Sequence, residues 1–169
     1  MDDRFLNPRN QTLEFAKRSR KNLEFIETAY AEGSDVHPVT QLTLSMLGLV
    51  VFPWGERKQI EAIAKKKTLQ DLESEGWPTW NILQDDYKDN PTNNLYTLTR
   101  RLRNAVAHGQ VKFTSDSGKI EDVKILVEDK RSSKGSKTKK RDFWVAEIEA
   151  TKLRAFCFKF FDFIDDYIG

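Results

Sequence analysis

The sequence predicts a mainly α-helical fold, a bundle of helices with a small antiparallel β-hairpin or three-strand insertion before the last one. Three observations lead there. Apolar residues recur at three- and four-residue spacing through most of the chain. Asn7-Pro8, His37-Pro38 and Asn90-Pro91 each put a proline where the first turn of a helix tolerates it. Alternation with period two is confined to residues 111–148.

A chain of 169 residues suits one domain, so residues 1–169 are read as a single unit with the β insertion at about 110–148. The net charge of +2 is small beside 28 basic and 26 acidic groups, so only local clustering can point to partners. Cys157 stands alone in an apolar run, unable to form an internal disulfide and without metal-ligand spacing. It reads as a buried small hydrophobe in a reducing compartment. Residues 1–4 are polar and no apolar leader segment follows, so no secretory signal is expected. The longest apolar run, 42–52, is broken by Thr43, Ser45 and Gly48 and falls short of the roughly 20 residues a span needs. The expected setting is therefore the cytoplasm, with no membrane partner.

The first helix is expected from Asn7-Pro8 to about Ala31, with Leu13, Ala16, Leu23, Ile26 and Tyr30 on its apolar side. Lys17, Arg18, Arg20 and Lys21 form a basic band, read as a solvated face. His37-Pro38 opens the second helix and Pro53 closes it; Leu42, Leu44, Met46, Leu47, Leu49, Val50 and Val51 surround its axis, so it should be the most buried element. His37 sits at the N-terminal end, where the helix dipole disfavours its charged form, and reads as a cap or a solvent-exposed group. Residues 56–67 form a short helix ending in three lysines, and Thr68-Leu69-Gln70-Asp71 caps another that stops at Gly76. Residues 77–86 read as irregular connection, with Asp85 and Asp86 on a surface loop rather than on a metal. Asn90-Pro91 then opens the helix that runs to Gly109. Beyond it come strands at 111–113, 123–127 and 143–148, and a final helix over 151–168.

Residues 129–141 hold almost no apolar side chain and read as a mobile loop with seven basic residues, Lys130, Arg131, Lys134, Lys137, Lys139, Lys140 and Arg141. They suit either an RNA-seeking tether or a solubilising hairpin loop. The final helix carries Leu153, Phe156, Phe160, Phe163, Ile164 and Tyr167 in a broad stripe, extended by Phe158 and Phe161. A stripe that wide suggests a second surface, hence a homodimer.

The densest chemistry lies at 100–109, Arg-Arg-Leu-Arg-Asn-Ala-Val-Ala-His-Gly. At about 100° per residue, Leu95, Leu98, Leu102, Ala105 and Val106 share one face. Asn104 and His108 stack on the polar side, and Arg103 lies about 140° from His108. All three are expected to point away from the chain's own core. One reading is structural: His108 and Gly109 end a helix, the histidine near the free carbonyls and the glycine in the left-handed cap. The other is catalytic. Cleaving RNA without a metal needs a proton acceptor for the 2′-hydroxyl, a proton donor for the leaving 5′-oxygen and a cation on the phosphate. Histidine titrates near neutrality and arginine forks two phosphate oxygens. One chain offers one well-placed histidine, whereas two copies facing across a twofold axis would offer two.

Arg103-Asn104-Ala105-Val106-Ala107-His108 resembles the arginine, polar residue, three variable residues, histidine motif of the HEPN superfamily (higher eukaryotes and prokaryotes nucleotide-binding). Residues 22–27, 39–42 and 47–53 look like a bacterial HEPN subgroup, and the likeness covers about 7–110 plus the last helix. It implies a dimerising helical bundle whose motif helices meet in a cleft, acting as a metal-independent endoribonuclease that uses no cofactor. It also implies a toxin or defence role, often beside a nucleotidyltransferase-type antitoxin. By position, Arg103 would stabilise the scissile phosphate, His108 would move a proton or orient the phosphate, and Asn104 would support both. Arg100 and Arg101 are then expected to attract phosphate nearby. The β insertion and basic loop lie outside the minimal family pattern and are expected to guide RNA toward the cleft. The alternatives are a module that binds RNA or protein without cutting, and an interaction protein whose helix-end cluster is recognised by a partner.

Overall fold

The computed structural model describes residues 8–51, 58–116, 119–131 and 142–168. Proline opens the first two helices as expected, α1 (Pro8–Ala31) and α2 (Pro38–Val51). Their close approach is set by Gly48. A Cβ there would lie 2.2 Å from two ring atoms of Phe15, so only hydrogen fits between the ring and the α2 backbone. Leu42, Met46 and Leu49 are buried, but Leu44 is 54% exposed, so α2 is not apolar-covered all round. His37 is exposed, and its carbonyl accepts from the Gln41 N–H in the first turn of α2.

Helix α3 (Lys58–Lys66) and helix α4 (Leu69–Ser74) follow. Thr68 and Asp71 close a reciprocal capping box on α4. The connection predicted as irregular then contains a strand, β1 (Asn81–Asp85), a correction to that reading of residues 77–86. Only pairing with a distant strand creates it, and a register shift between Ile82 and Gln84 breaks the alternation that would have revealed it. Asp85 ends β1, where its carboxylate accepts from the Tyr87 and Thr92 N–H groups. Among the described residues no group of three or more His, Cys, Asp or Glu gathers.

Helix α5 (Leu95–Ala107) starts later than Asn90-Pro91 suggested. Asn94 takes the cap: its side chain accepts from the Thr97 N–H at 2.9 Å, and the Thr97 hydroxyl receives the Asn94 N–H at 3.2 Å. Three strands come next, β2 (Val111–Phe113), β3 (Lys124–Arg131) and β4 (Asp142–Glu149), with a 3₁₀ turn at Ile120–Asp122. They join β1 in an antiparallel sheet of order β1-β4-β3-β2. Of the predicted mobile loop, residues 129–131 belong to β3, while Lys134, Lys137, Lys139, Lys140 and Arg141 lie outside the described residues. Alternate residues of the two central strands, Ile125, Val127 and Asp129 with Trp144, Ala146 and Ile148, are buried against the helices.

Helix α6 (Ala150–Ile168) closes the fold. Its aromatic stripe does not wait for a second surface. Phe156, Phe160, Phe161 and Phe163 are all buried, with Trp77 edge-on to Phe156 at 5.5 Å and to Phe160 at 6.3 Å. Each such pair contributes about 0.5–1.5 kcal/mol beyond burial. The two tryptophans from the segment before β1 account for the stripe's width, so that width no longer argues for a dimer. The basic band of α1 is also spoken for in part, since Arg20 pairs with Asp162 at 2.8 Å and Lys17 with Asp165 at 3.6 Å. Arg154 of α6 makes a bidentate contact to Glu27 of α1 at 2.6 and 2.8 Å. Cys157 is fully buried, and burial pushes its thiol pKa far above the ordinary value, which leaves it inert. Among the described residues no helix is long and apolar enough to cross a membrane.

Candidate functional site

Helix α5 is held along its buried side by Leu95, Leu98, Leu102 and Ala105, the face the helical period assigned. Its end is a glycine-stopped turn. Gly109 has φ +64°, its N–H reaches the Val106 carbonyl at 3.0 Å, and the Gln110 N–H reaches back to the Ala105 carbonyl at 2.8 Å. Those two bonds are the Schellman arrangement, and they fix His108 as the C-cap that follows the helix, with its own N–H on the Asn104 carbonyl at 3.1 Å. His108 is exposed and Arg103 half-buried. Neither side chain has a hydrogen bond or ion pair among the described residues.

Two other members of the cluster are committed. Arg101 is 1% exposed, which corrects the expectation that it attracts phosphate. Its guanidinium lies 3.4 Å above the Tyr87 ring, donates to the Asn90 carbonyl at 2.9 Å and pairs with Asp129 at 3.3 Å. Position 101 falls four residues before buried Ala105, about 40° from it around the helix, close enough to the apolar face to be drawn under β3. Asn104 also departs from expectation: its amide nitrogen donates 3.1 Å to the same Asp129 oxygen, so it faces β3 rather than solvent. Arg100 is half-buried on the flank toward α3, near enough to help hold the Glu61 carboxyl below its usual range, a shift due first to Lys65.

Asp129, Tyr87 and Asn90 were not singled out by sequence reasoning. The signal for Asp129 was present, since it continues the inward alternation of Ile125 and Val127, but its place at the head of a charged segment concealed it. Nearby, on the opposite face of β3, Glu128 is bridged by Lys112 at 2.7 Å and by Lys130. Hydrogen bonds from Lys112 and then Lys130 hold its carboxyl below the ordinary glutamate range. Lys130 is thus paired, and Arg131 ends β3. The arrangement brings together Arg103, Asn104 and His108 at one helix end, with Arg101 behind them in the interior.

A helical bundle with an Arg-Asn-x3-His motif closing a core helix defines the chain as a HEPN domain, a class of nucleotide-binding, ribonuclease-like modules. A family model described as HEPN pEK499 p136 matches residues 5–169, and the chain belongs to that family. No curated protein and no solved structure matches it.

Proposed function

We propose that the chain is a metal-independent endoribonuclease whose cutting site forms where the α5 ends of two copies face each other. One observation carries this reading: of the five charged or polar groups at 100–108, Arg101 and Asn104 are held by Asp129, whereas Arg103 and His108, the two that RNA cleavage needs, have no hydrogen bond or ion pair among the described residues. In the reaction, the 2′-hydroxyl oxygen attacks phosphorus, the bond to the 5′-oxygen breaks, and a 2′,3′-cyclic phosphate results. One imidazole takes the 2′ proton and a second gives a proton to the leaving oxygen, while Arg103 binds the phosphate oxygens as charge builds. A single chain presents one histidine here, and that requirement for two proton-transfer groups is now the ground for a homodimer. The role is that of a toxin or defence effector restrained by a nucleotidyltransferase-type partner protein.

A binding module that holds RNA without cutting it is the second reading. It is favoured by the absence, among the described residues, of a hydrogen bond orienting the His108 imidazole. The test is cleavage of single-stranded RNA in EDTA by the wild type, His108→Ala and Arg103→Ala. Loss of cleavage in both variants at unchanged melting temperature supports the nuclease. Salt-dependent binding without product, across varied RNAs, selects the binding module instead.

A further inference from the structure

We infer that Asp129, on β3, is a positioning residue that sets the orientation of Asn104 for the motif; the inference rests on the ribonuclease reading above. The carboxylate is 2% exposed and one of its oxygens accepts from both Arg101, at 3.3 Å, and Asn104, at 3.1 Å. It cannot swing away, because Arg101 is itself clamped between the Tyr87 ring and the Asn90 carbonyl, and Tyr87 reaches the Asp129 backbone carbonyl at 3.5 Å.

An ionised carboxylate only accepts hydrogen bonds, so it selects one of the two amide orientations of Asn104. The amino end must face β3, and the carbonyl oxygen is the end that remains for the site. Asn104 stands one turn before His108, with the His108 N–H on its backbone carbonyl. The side-chain oxygen is therefore the acceptor that Asn104 leaves to the site, able to receive a substrate hydroxyl. A site group whose orientation is set by a second group, itself set by a third, is a common logic of histidine-based sites. Here the observed contacts run Arg101, Asp129, Asn104. The β insertion thereby acquires a task at the site: it delivers a carboxylate behind the motif helix that the helices alone do not supply.

The plain alternative is a core ion pair between Arg101 and Asp129 with Asn104 as a bystander. Two measurements separate them. The first needs no activity: the side-chain amide protons of Asn104, identified in the nitrogen-15 spectrum by their loss in Asn104→Ala, should exchange far more slowly than those of exposed Asn22. They should become fast in Asp129→Asn. Equally fast exchange at Asn104 and Asn22 in the wild type overturns the inference, and this holds even if Asp129→Asn fails to fold. The second is kinetic: Asp129→Asn should lower kcat on the order of tenfold or more with KM little changed, as expected for a misplaced supporting group. Wild-type kcat in a folded Asp129→Asn overturns it. If the wild type cuts no RNA yet shows the slow Asn104 amide, the ribonuclease reading fails while the hold of Asp129 on Asn104 stands.

Discussion

Replacing Arg101 with alanine separates a residue that holds the fold from one that attracts RNA. The guanidinium is 1% exposed and its partner Asp129 is 2% exposed, so truncation strands a carboxylate in the interior with the Asn104 amide as its remaining side-chain donor among the described residues. Breaking a buried ion pair from one side costs about 3–5 kcal/mol. For a domain of this size each kcal/mol moves the melting temperature by about 2–4 °C, so a fall of about 6–20 °C is expected. Thermal unfolding followed by circular dichroism reads it directly. Arg101→Met combined with Asp129→Leu removes both charges and should recover most of the loss, since a well-packed apolar pair often equals a buried ion pair. Arg100→Ala is the contrast, with stability changed by no more than about 0.5 kcal/mol. A melting temperature for Arg101→Ala within about 2 °C of the wild type would refute the core assignment, all the more if RNA affinity fell.

Other substitutions test the remaining joints. Gly48→Ala must push the Phe15 ring off the α2 backbone from a 2.2 Å overlap and should cost about 1–3 kcal/mol in urea unfolding, less when Phe15 is first shortened to leucine. Asn94→Ala should cost about 1 kcal/mol through the lost cap of α5, whereas Asn90→Ala, whose contact to Arg101 is through the backbone, should leave that cap untouched. Glu128 has a folded-state pKa below its unfolded value, so the stability it adds is complete above about pH 4.3 and is lost as the pH falls through the lower folded value. The stability difference between wild type and Glu128→Gln should accordingly be present at neutral pH and vanish in strong acid; a difference independent of pH would contradict the pairing with Lys112 and Lys130.

Much of the frame was legible because local rules and tertiary packing agree in it. Pro8 and Pro38 start their helices, Thr68 with Asp71 caps α4, and Gly109 ends α5 where the helical period said it would. What was not legible depends on long-range pairing. Strand β1 exists through its ladder with β4, some sixty residues on, and carries a bulge. The same blindness affected the site. On a wheel Asn104 looks like a polar-face residue and Arg101 only borders the apolar face, and the arrival of β3 turns both toward Asp129. The wide stripe of α6 misled for a related reason, since Trp77 and Trp80 meet it from a segment with no regular pattern. Of the three residues the sequence reading picked, His108 is exposed and Arg103 half-buried at the end of α5, while Asn104 is turned toward β3.

The most direct test is made in EDTA with one single-stranded RNA and the same strand lacking every 2′-hydroxyl. Cleavage of the RNA to 2′,3′-cyclic phosphate ends, with the deoxy strand intact and the activity gone in His108→Ala, is the predicted result. Cleavage of both strands alike, or cleavage that His108→Ala retains in full, would contradict a 2′-hydroxyl reaction at the end of α5.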